Sequence, residues 1–277
     1  VNRRGSDLTD RSDGVLYTSD GRDVEMSVAS TKAFYAQVAA GVILAAAIAA
    51  EIGTSDAAAA DRRRLLGSLR ELPDAMEQVL ATRPAIAAAA HAVAPTRRSW
   101  AIVGSGADRI AAQELRIKLS ELCYKAIACD ATEDKKHIDL SSEPMIIVCA
   151  AGLQGSNADD VAKEVAIYRA HKAAPIVIAA DGDERFSAAL HVLSVPAVDP
   201  SLAFVLATVV GHLFGYEAAL AIDASAVPLR HARAAIEQRV GGPAAADGDH
   251  LLAELRDDFA PLAARFFDGV RGGLYDG

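Results

Sequence analysis

Trp100-Ala-Ile-Val-Gly-Ser-Gly106, followed by Glu114-Leu-Arg-Ile-Lys-Leu-Ser-Glu-Leu-Cys-Tyr124, is the stretch on which the reading of this chain turns. A short apolar run, a Gly-x-Gly turn and then apolar residues at helical spacing predict a strand, a tight loop and a helix. On that helix Glu114, Lys118 and Glu121 fall at i, i+4 and i+7, so two carboxylates and an ammonium share one stripe. Lys118 between two acids can hold both ionised, whereas an acid pushed partly into a dry cleft gains the raised pKa that a proton shuttle requires. The same spacing is also what a solvated helix uses for ion pairs worth a few tenths of a kcal/mol.

Working outward toward the C-terminus, the pattern repeats. Ala126 to Cys129, Met145 to Cys149, Pro175 to Ala180 and His191 to Val195 are further short apolar runs, with helices expected near Ile110 to Tyr124, Asp159 to His171 and Leu202 to Ile222. Fully apolar strands alternating with helices predict an α/β domain with a doubly wound, flavodoxin-like parallel sheet covered on both faces. Such sheets bind ligands at the carboxyl ends of their strands, where Gly104-Ser-Gly106 and Ala151-Gly-Leu-Gln-Gly155 fall. The first lacks the third glycine and the acidic partner of a dinucleotide fingerprint. Gly152 to Asn157 reads either as a phosphate cradle or as a plain strand-to-helix turn.

Toward the N-terminus, Val15-Leu-Tyr-Thr18 reads as a short strand and Gly21 as a turn. A helix is expected from about Ser30 to Ile52, apolar on nearly every face and therefore buried between layers, with Ser30 and Thr31 placed to cap it. Gly53 to Ala60 reads as a linker. Asp61 to Glu71 and Asp74 to Arg83 read as amphipathic helices, the second opened by Pro73 and closed by Pro84, and Ile86 to Ala94 as a third. Beyond Asp223 to Val240 lies a Gly- and Ala-rich linker, then a final amphipathic helix from Leu251 to Phe267.

The 277 residues are 52% hydrophobic but only 5% aromatic, which suits helices packed closely on small side chains. A net charge of −9 argues against nucleic acid as a partner, because phosphate backbones need concentrated Lys and Arg. Cys123, Cys129 and Cys149 lack CxxC spacing and read as reduced thiols of a cytoplasmic protein. His91, His171, His191, His212, His231 and His250 share no metal spacing and read as structural or surface residues, and neither metal nor cofactor is expected. The longest apolar run, Val38 to Ala50, is too short to span a bilayer, so no membrane partner is expected. The chain opens on Val1, which reads as a fragment of something longer.

Two stretches carry a resemblance. Val28-Ala-Ser-Thr-Lys-Ala-Phe34 is similar to the GVASTKAF segment, and Glu114 to Tyr124 to the EGALKLKEISY helix, of the isomerase half of the glucosamine-6-phosphate synthase family. In one register with the second, His137 of Glu133-Asp-Lys-Lys-His-Ile-Asp-Leu140 falls on the histidine of that family's ELKHGPL. With weaker similarity elsewhere, the likeness covers roughly residues 5 to 235. It implies a pair of sugar isomerase (SIS) domains: residues 1–56 the C-terminal part of the first, 57–98 a helical bridge, 99–240 the second, and 241–277 an extension beyond the family's usual end.

What the resemblance implies for function is specific. The chain would be a sugar-phosphate isomerase and aminotransferase module acting on fructose 6-phosphate or a similar ketose phosphate through an enediol. Glu121 would be the carbon acid–base, Lys118 its electrostatic partner, Glu114 a member of the same polar network, and His137 the ring-opening residue. Because the family's histidine reaches the pocket from the neighbouring subunit, a homodimer is implied. Val28, Ala29 and Ser30 would line the sugar-phosphate pocket, and Arg233 falls where the family has a lysine that contacts the open sugar. The family's phosphate-holding loop and its glutaminase domain would lie before Val1. Arg233 in place of lysine, and Ile138-Asp139 in place of Gly-Pro, keep a second reading open: a non-catalytic sugar-phosphate-binding module with a regulatory or structural role.

Overall fold

The computed structural model describes residues 1, 4–19, 31–53, 55–240 and 248–273. After a four-residue turn of helix, α1 (Asp7–Asp10), come α2 (Thr31–Glu51), α3 (Asp56–Ala81) and α4 (Arg83–Val93). The α/β region follows: β1 (Trp100–Gly104), α5 (Asp108–Cys123), β2 (Ala128–Asp130), α6 (His137–Leu140), β3 (Met145–Cys149), α7 (Gly155–Ala170), β4 (Ala174–Ala180), β5 (His191–Val195) and α8 (Ala203–Val240). A last helix, α9, spans Gly248–Arg271.

All strand pairs are parallel, in the order β2-β1-β3-β4-β5 of a doubly wound sheet. Register aligns Ile102 with Ile147 and Ile147 with Ile176 across three strands. Period-two alternation then sorts the strands onto two faces. Trp100, Ile102, Met145, Ile147, Ile176 and Ile178 meet α4, α5 and α8 on one face. Ala101, Val103, Ile146, Val148 and Val177 meet Val161, Val165 and Tyr168 of α7 on the other. Both faces are covered, so β1 and β3 are buried at every position.

The layer of α5 and α8 is held unusually close by two glycines. A Cβ on Gly211 would fall 2.1 Å from Leu115 Cγ, and one on Gly215 would fall 2.9 Å from Leu119 Cδ1. These positions let Leu115 and Leu119 seat against the α8 backbone, and Cys123 Sγ–H reaches the Gly215 carbonyl at 3.8 Å. The order of contacts, 115 with 211 and 119 with 215, runs the two helices side by side in the same direction.

Several sequence expectations change, among them the Gly53 to Ala60 linker, most of which is the first turn of α3, starting at Asp56. Val15 to Thr18 forms no strand; the Thr18 amide donates to the Val1 carbonyl and the chain's first amine to Leu16 O, without strand pairing. Pro73 lies inside α3 rather than opening a helix, and Pro84 sits in the first turn of α4 rather than closing one. Burial of Leu72, Ala75 and Val79 offsets the helical hydrogen bond that Pro73 removes. Asp223 to Val240 continues α8 without a break, through Pro228.

The largest change concerns α2. Of its residues only Ala33 and Ala46 are buried among the described part of the chain. Phe34, Tyr35, Val38 and Val42 pack against the main core, while Ile43, Leu44 and Ile48 on the far side are about half exposed. The 13-residue apolar run proves to be part of a 21-residue helix that, like α8, is long and apolar enough to cross a membrane by length and composition.

Candidate functional site

Helix α5 starts shortly after β1 ends, without a side-chain cap, and its first residue, Asp108, turns its carboxylate to the neighbouring loop. Asp108 is 1% exposed, and its Oδ2 accepts the Gly152 amide at 2.9 Å across the crevice between β1 and β3. Burial raises its carboxyl to about 6, against the opposing pull of the Gly152 and Ala151 amides. A Cβ on Gly152 would lie 2.7 Å from the Pro200 carbonyl and 3.3 Å from Asp108 Oδ2. The glycine there serves close packing of three loops, and an acid occupies the amide that a phosphate would use. This is the plain-turn reading of Gly152 to Asn157, with α7 beginning at Gly155.

Nearly two turns further along α5 the stripe predicted from spacing separates into two environments. Lys118 is 5% exposed, and its Nζ lies 3.8 Å from Glu114 Oε1. Glu121 is exposed and has no hydrogen bond or ion pair among the described residues. The inner end of the stripe is thus a desolvated carboxylate–ammonium pair, and the outer end a carboxylate free to meet a solute. In such a pair the two charges interact far more strongly than on a wet surface.

His212 of α8 completes the inner end. Its Nε2 lies 3.2 Å from Glu114 Oε1, and its Nδ1 lies 2.8 Å from the Tyr35 hydroxyl of α2. Tyr35 is pushed well above the usual phenol range by burial and then by the Glu114 charge. Four side chains from three helices therefore form one line: Tyr35, His212, Glu114, Lys118. Sequence reading set His212 aside for want of metal spacing and passed over Tyr35. The signal that could have found them was Gly211-His212-Leu-Phe-Gly215, in which two small residues one turn apart mark the α8 face that seats on α5.

His137 lies at the first position of α6. The segment before it is tied down by polar groups. Lys135 is 6% exposed, with Nζ 2.6 Å from Asp130 Oδ2 and 4.0 Å from Asp139 Oδ1. The Tyr168 hydroxyl donates to the Thr132 carbonyl, and Ser105 Oγ lies 3.1 Å from Thr132 Oγ1. Asp139 also accepts the Lys136 amide at 3.4 Å, which helps set the single helical turn of α6.

Arg233 is not brought to this site. Arg233 lies 21 residues beyond His212 on the same helix, roughly 30 Å along its axis at the standard rise. Its guanidinium is 79% exposed and paired with Glu237 at 2.7 Å. Val28, Ala29 and Ser30 lie outside the described residues. Among the described residues no group of His, Cys, Asp and Glu could hold a metal ion.

Comparison with known proteins gives one consistent neighbourhood. Glutamine–fructose-6-phosphate aminotransferase (isomerizing) of Thermus thermophilus is 33% identical over 223 residues, covering 79% of this chain and 36% of that protein. The chain thus spans about a third of the length of the curated relatives it matches. The C-terminal domain of glucosamine-fructose-6-phosphate aminotransferase from Francisella tularensis superposes with a TM-score of 0.66 at 21% identity, covering 79% of this chain and 61% of that one. Tagatose-6-phosphate ketose/aldose isomerase from Escherichia coli gives a TM-score of 0.52 at 20% identity, covering 70% and 51%. No protein-family model matches.

Proposed function

We propose, from the premise that the chain belongs to the sugar isomerase (SIS) domain family related to glutamine–fructose-6-phosphate aminotransferase, that it is the isomerase part of an aminosugar-forming enzyme. Its substrate would be fructose 6-phosphate or a close relative, interconverted through an enediol. The observation that carries this reading is the α5 stripe, a buried ammonium beside an exposed, unpaired carboxylate one turn away.

Aldose–ketose interconversion needs a ring-opening proton transfer, a base that moves a proton between C1 and C2, and a cation to steady the enediolate. Glu121, with no partner to hold it among the described residues, is the base. Lys118, anchored by Glu114, supplies the positive charge. His137 is the ring-opening residue, contributed across a homodimer, with Val28, Ala29 and Ser30 at the phosphate end. Arg233 is the least supported member of the set, since α8 carries it away from the stripe. Ammonia would come from a glutaminase partner or domain. Three free cysteines suit a reducing, cytoplasmic setting.

A second reading has its own observation. Where the resembled family has Gly-Pro, Ile138-Asp139 builds the helical turn of α6, and Asp139 joins the Lys135 anchor. A fixed turn at that place favours a binding module over a catalyst. Exchange of the C1 proton of fructose 6-phosphate in D₂O, followed by NMR on the full-length protein with Glu121→Gln as control, separates the two. Exchange abolished by the substitution is expected. Calorimetric binding without exchange would sink the isomerase reading and leave the binding module.

A further inference from the structure

Tyr35 and His212 belong to no motif of the site, yet the fold spends three helices on joining them to Glu114. The glycine seam seats α8 on α5, which brings His212 to Glu114. The packed side of α2 delivers Tyr35 to the other ring nitrogen. Ring orientation is restricted as well, by the edges of Phe34 at 6.4 Å and Tyr35 at 5.6 Å between centroids. The His212 and Glu114 side chains are only 10% and 14% exposed.

Direction follows from chemistry. A carboxylate oxygen only accepts, so Nε2 must carry a proton to bond Glu114 Oε1. A buried phenol with its ionisation suppressed keeps its proton and donates it to Nδ1. The line then reads Tyr35 O–H to Nδ1 and Nε2–H to Oε1, with the Lys118 ammonium approaching the same carboxylate.

We propose that His212 is a positioning residue, locked by Tyr35 as the Nε2–H tautomer, which pins the Glu114 carboxylate so that it faces Lys118 in a single geometry. It touches no substrate atom. It acts through Glu114 on the ammonium assigned to the enediolate, so its catalytic consequence rests on the isomerase reading, whereas its tautomer does not.

Long-range ¹H–¹⁵N NMR of the full, histidine-labelled chain reads the tautomer directly. One form with the proton on Nε2 is expected, and in Tyr35→Phe, where the Glu114 carboxylate still requires that proton, the Nδ1 resonance should move as Nδ1 loses its donor. A wild-type ring protonated on Nδ1 instead, or averaging between tautomers, overturns the proposal whatever the activity. The substitutions His212→Gln and His212→Leu then test the role. Glutamine can accept from Tyr35 and donate to Glu114 but cannot pass a proton through a ring, whereas leucine does neither.

The Leu variant is expected to lose about a hundredfold in C1 proton exchange, as misplacement of a reacting group does, and the Gln variant to recover at least about tenfold of that. Equal loss in both overturns positioning in favour of proton transfer through the ring. If the Leu variant does not fold, Tyr35→Phe replaces it in the comparison. Absence of exchange in the wild type would instead defeat the isomerase reading, and the tautomer with its response to Tyr35→Phe would decide the proposal alone.

Discussion

Among the described residues α2 and α8 are the two helices long and apolar enough to cross a membrane, and they end in opposite surroundings. In their most apolar windows 11% of α2 is buried against 61% of α8. Composition does not separate them; their neighbours do. Helix α8 has α5 against it along the Gly211 and Gly215 seam and α4 beside it, whereas α2 packs one side on the core and leaves Ile43, Leu44 and Ile48 open. The candidate site lies where the two meet, since Tyr35 is on the packed side of α2 and His212 on the seam side of α8. The difference teaches that a close helix–helix contact, rather than apolar content, positions the polar line to Glu114.

The sharpest way to break this comparison is to fill the seam. Leu115 is fully buried against Gly211, so Gly211→Leu forces two side chains into one volume. The expected cost is about 3 kcal/mol or more, read as a lower urea midpoint. Leu115→Ala, which empties the same place, should cost about 2–5 kcal/mol. A methyl group added at Gly41 in α2 would meet nothing within 4 Å, and Gly41→Ala should instead stabilise by up to about 1 kcal/mol through helix propensity. Equal effects at Gly41 and Gly211 would mean that the seam is not tight.

Asp108, at the start of α5, reports how dry the layer under α8 is. Its carboxyl titrates at about 6 in the folded chain, against an ordinary value of 3.8. Between those values the native state holds a proton that the unfolded state has released, so stability falls as pH rises from about 4 through about 6. A difference of that size corresponds to a change on the order of 3 kcal/mol, present below pH 4 and lost by neutrality. Asp108→Asn should flatten this part of the stability–pH curve, measured by urea denaturation from about pH 4.5 to about pH 7.5. Parallel curves for the two proteins would show that the crevice admits water and that the burial is not effective.

Most of the sheet was legible, because its strands are mostly apolar runs, several of them closed by a glycine, an acid or a proline. Met145–Cys149 and His191–Val195 have the expected ends, and Trp100–Gly104 and Ala174–Ala180 differ by one residue. Parallel strands buried on both faces need no periodicity to be recognised. The Glu114–Lys118 pair was legible for a similar reason, since it depends on local helical spacing. His212 was not, because its partner lies 98 residues away and only the α5–α8 packing brings them together. Pro73 was misread because tertiary burial of Leu72, Ala75 and Val79 outweighs a local helix-breaking preference. The burial of α2 was misjudged because an apolar surface tells what a helix could pack against and not what is there.

The smallest expected effect is therefore on the open side of α2, and it is the one that sharpens the comparison most. Ile43 and Ile48 are 50% and 53% exposed, so Ile43→Ser and Ile48→Ser remove side chains that are about half wet in a single chain. Each should cost about 1 kcal/mol of unfolding free energy, roughly half of what full burial is worth. Full burial of an isoleucine is worth about 1.5–3 kcal/mol, roughly twice as much. The two cases are distinguishable in a denaturation experiment. A loss near the larger figure, growing with protein concentration, would mean that a second copy covers this face and that α2 is a core helix of the assembly. A loss near the smaller figure at every concentration leaves the contrast with α8 as it stands, with Tyr35 held from one side only.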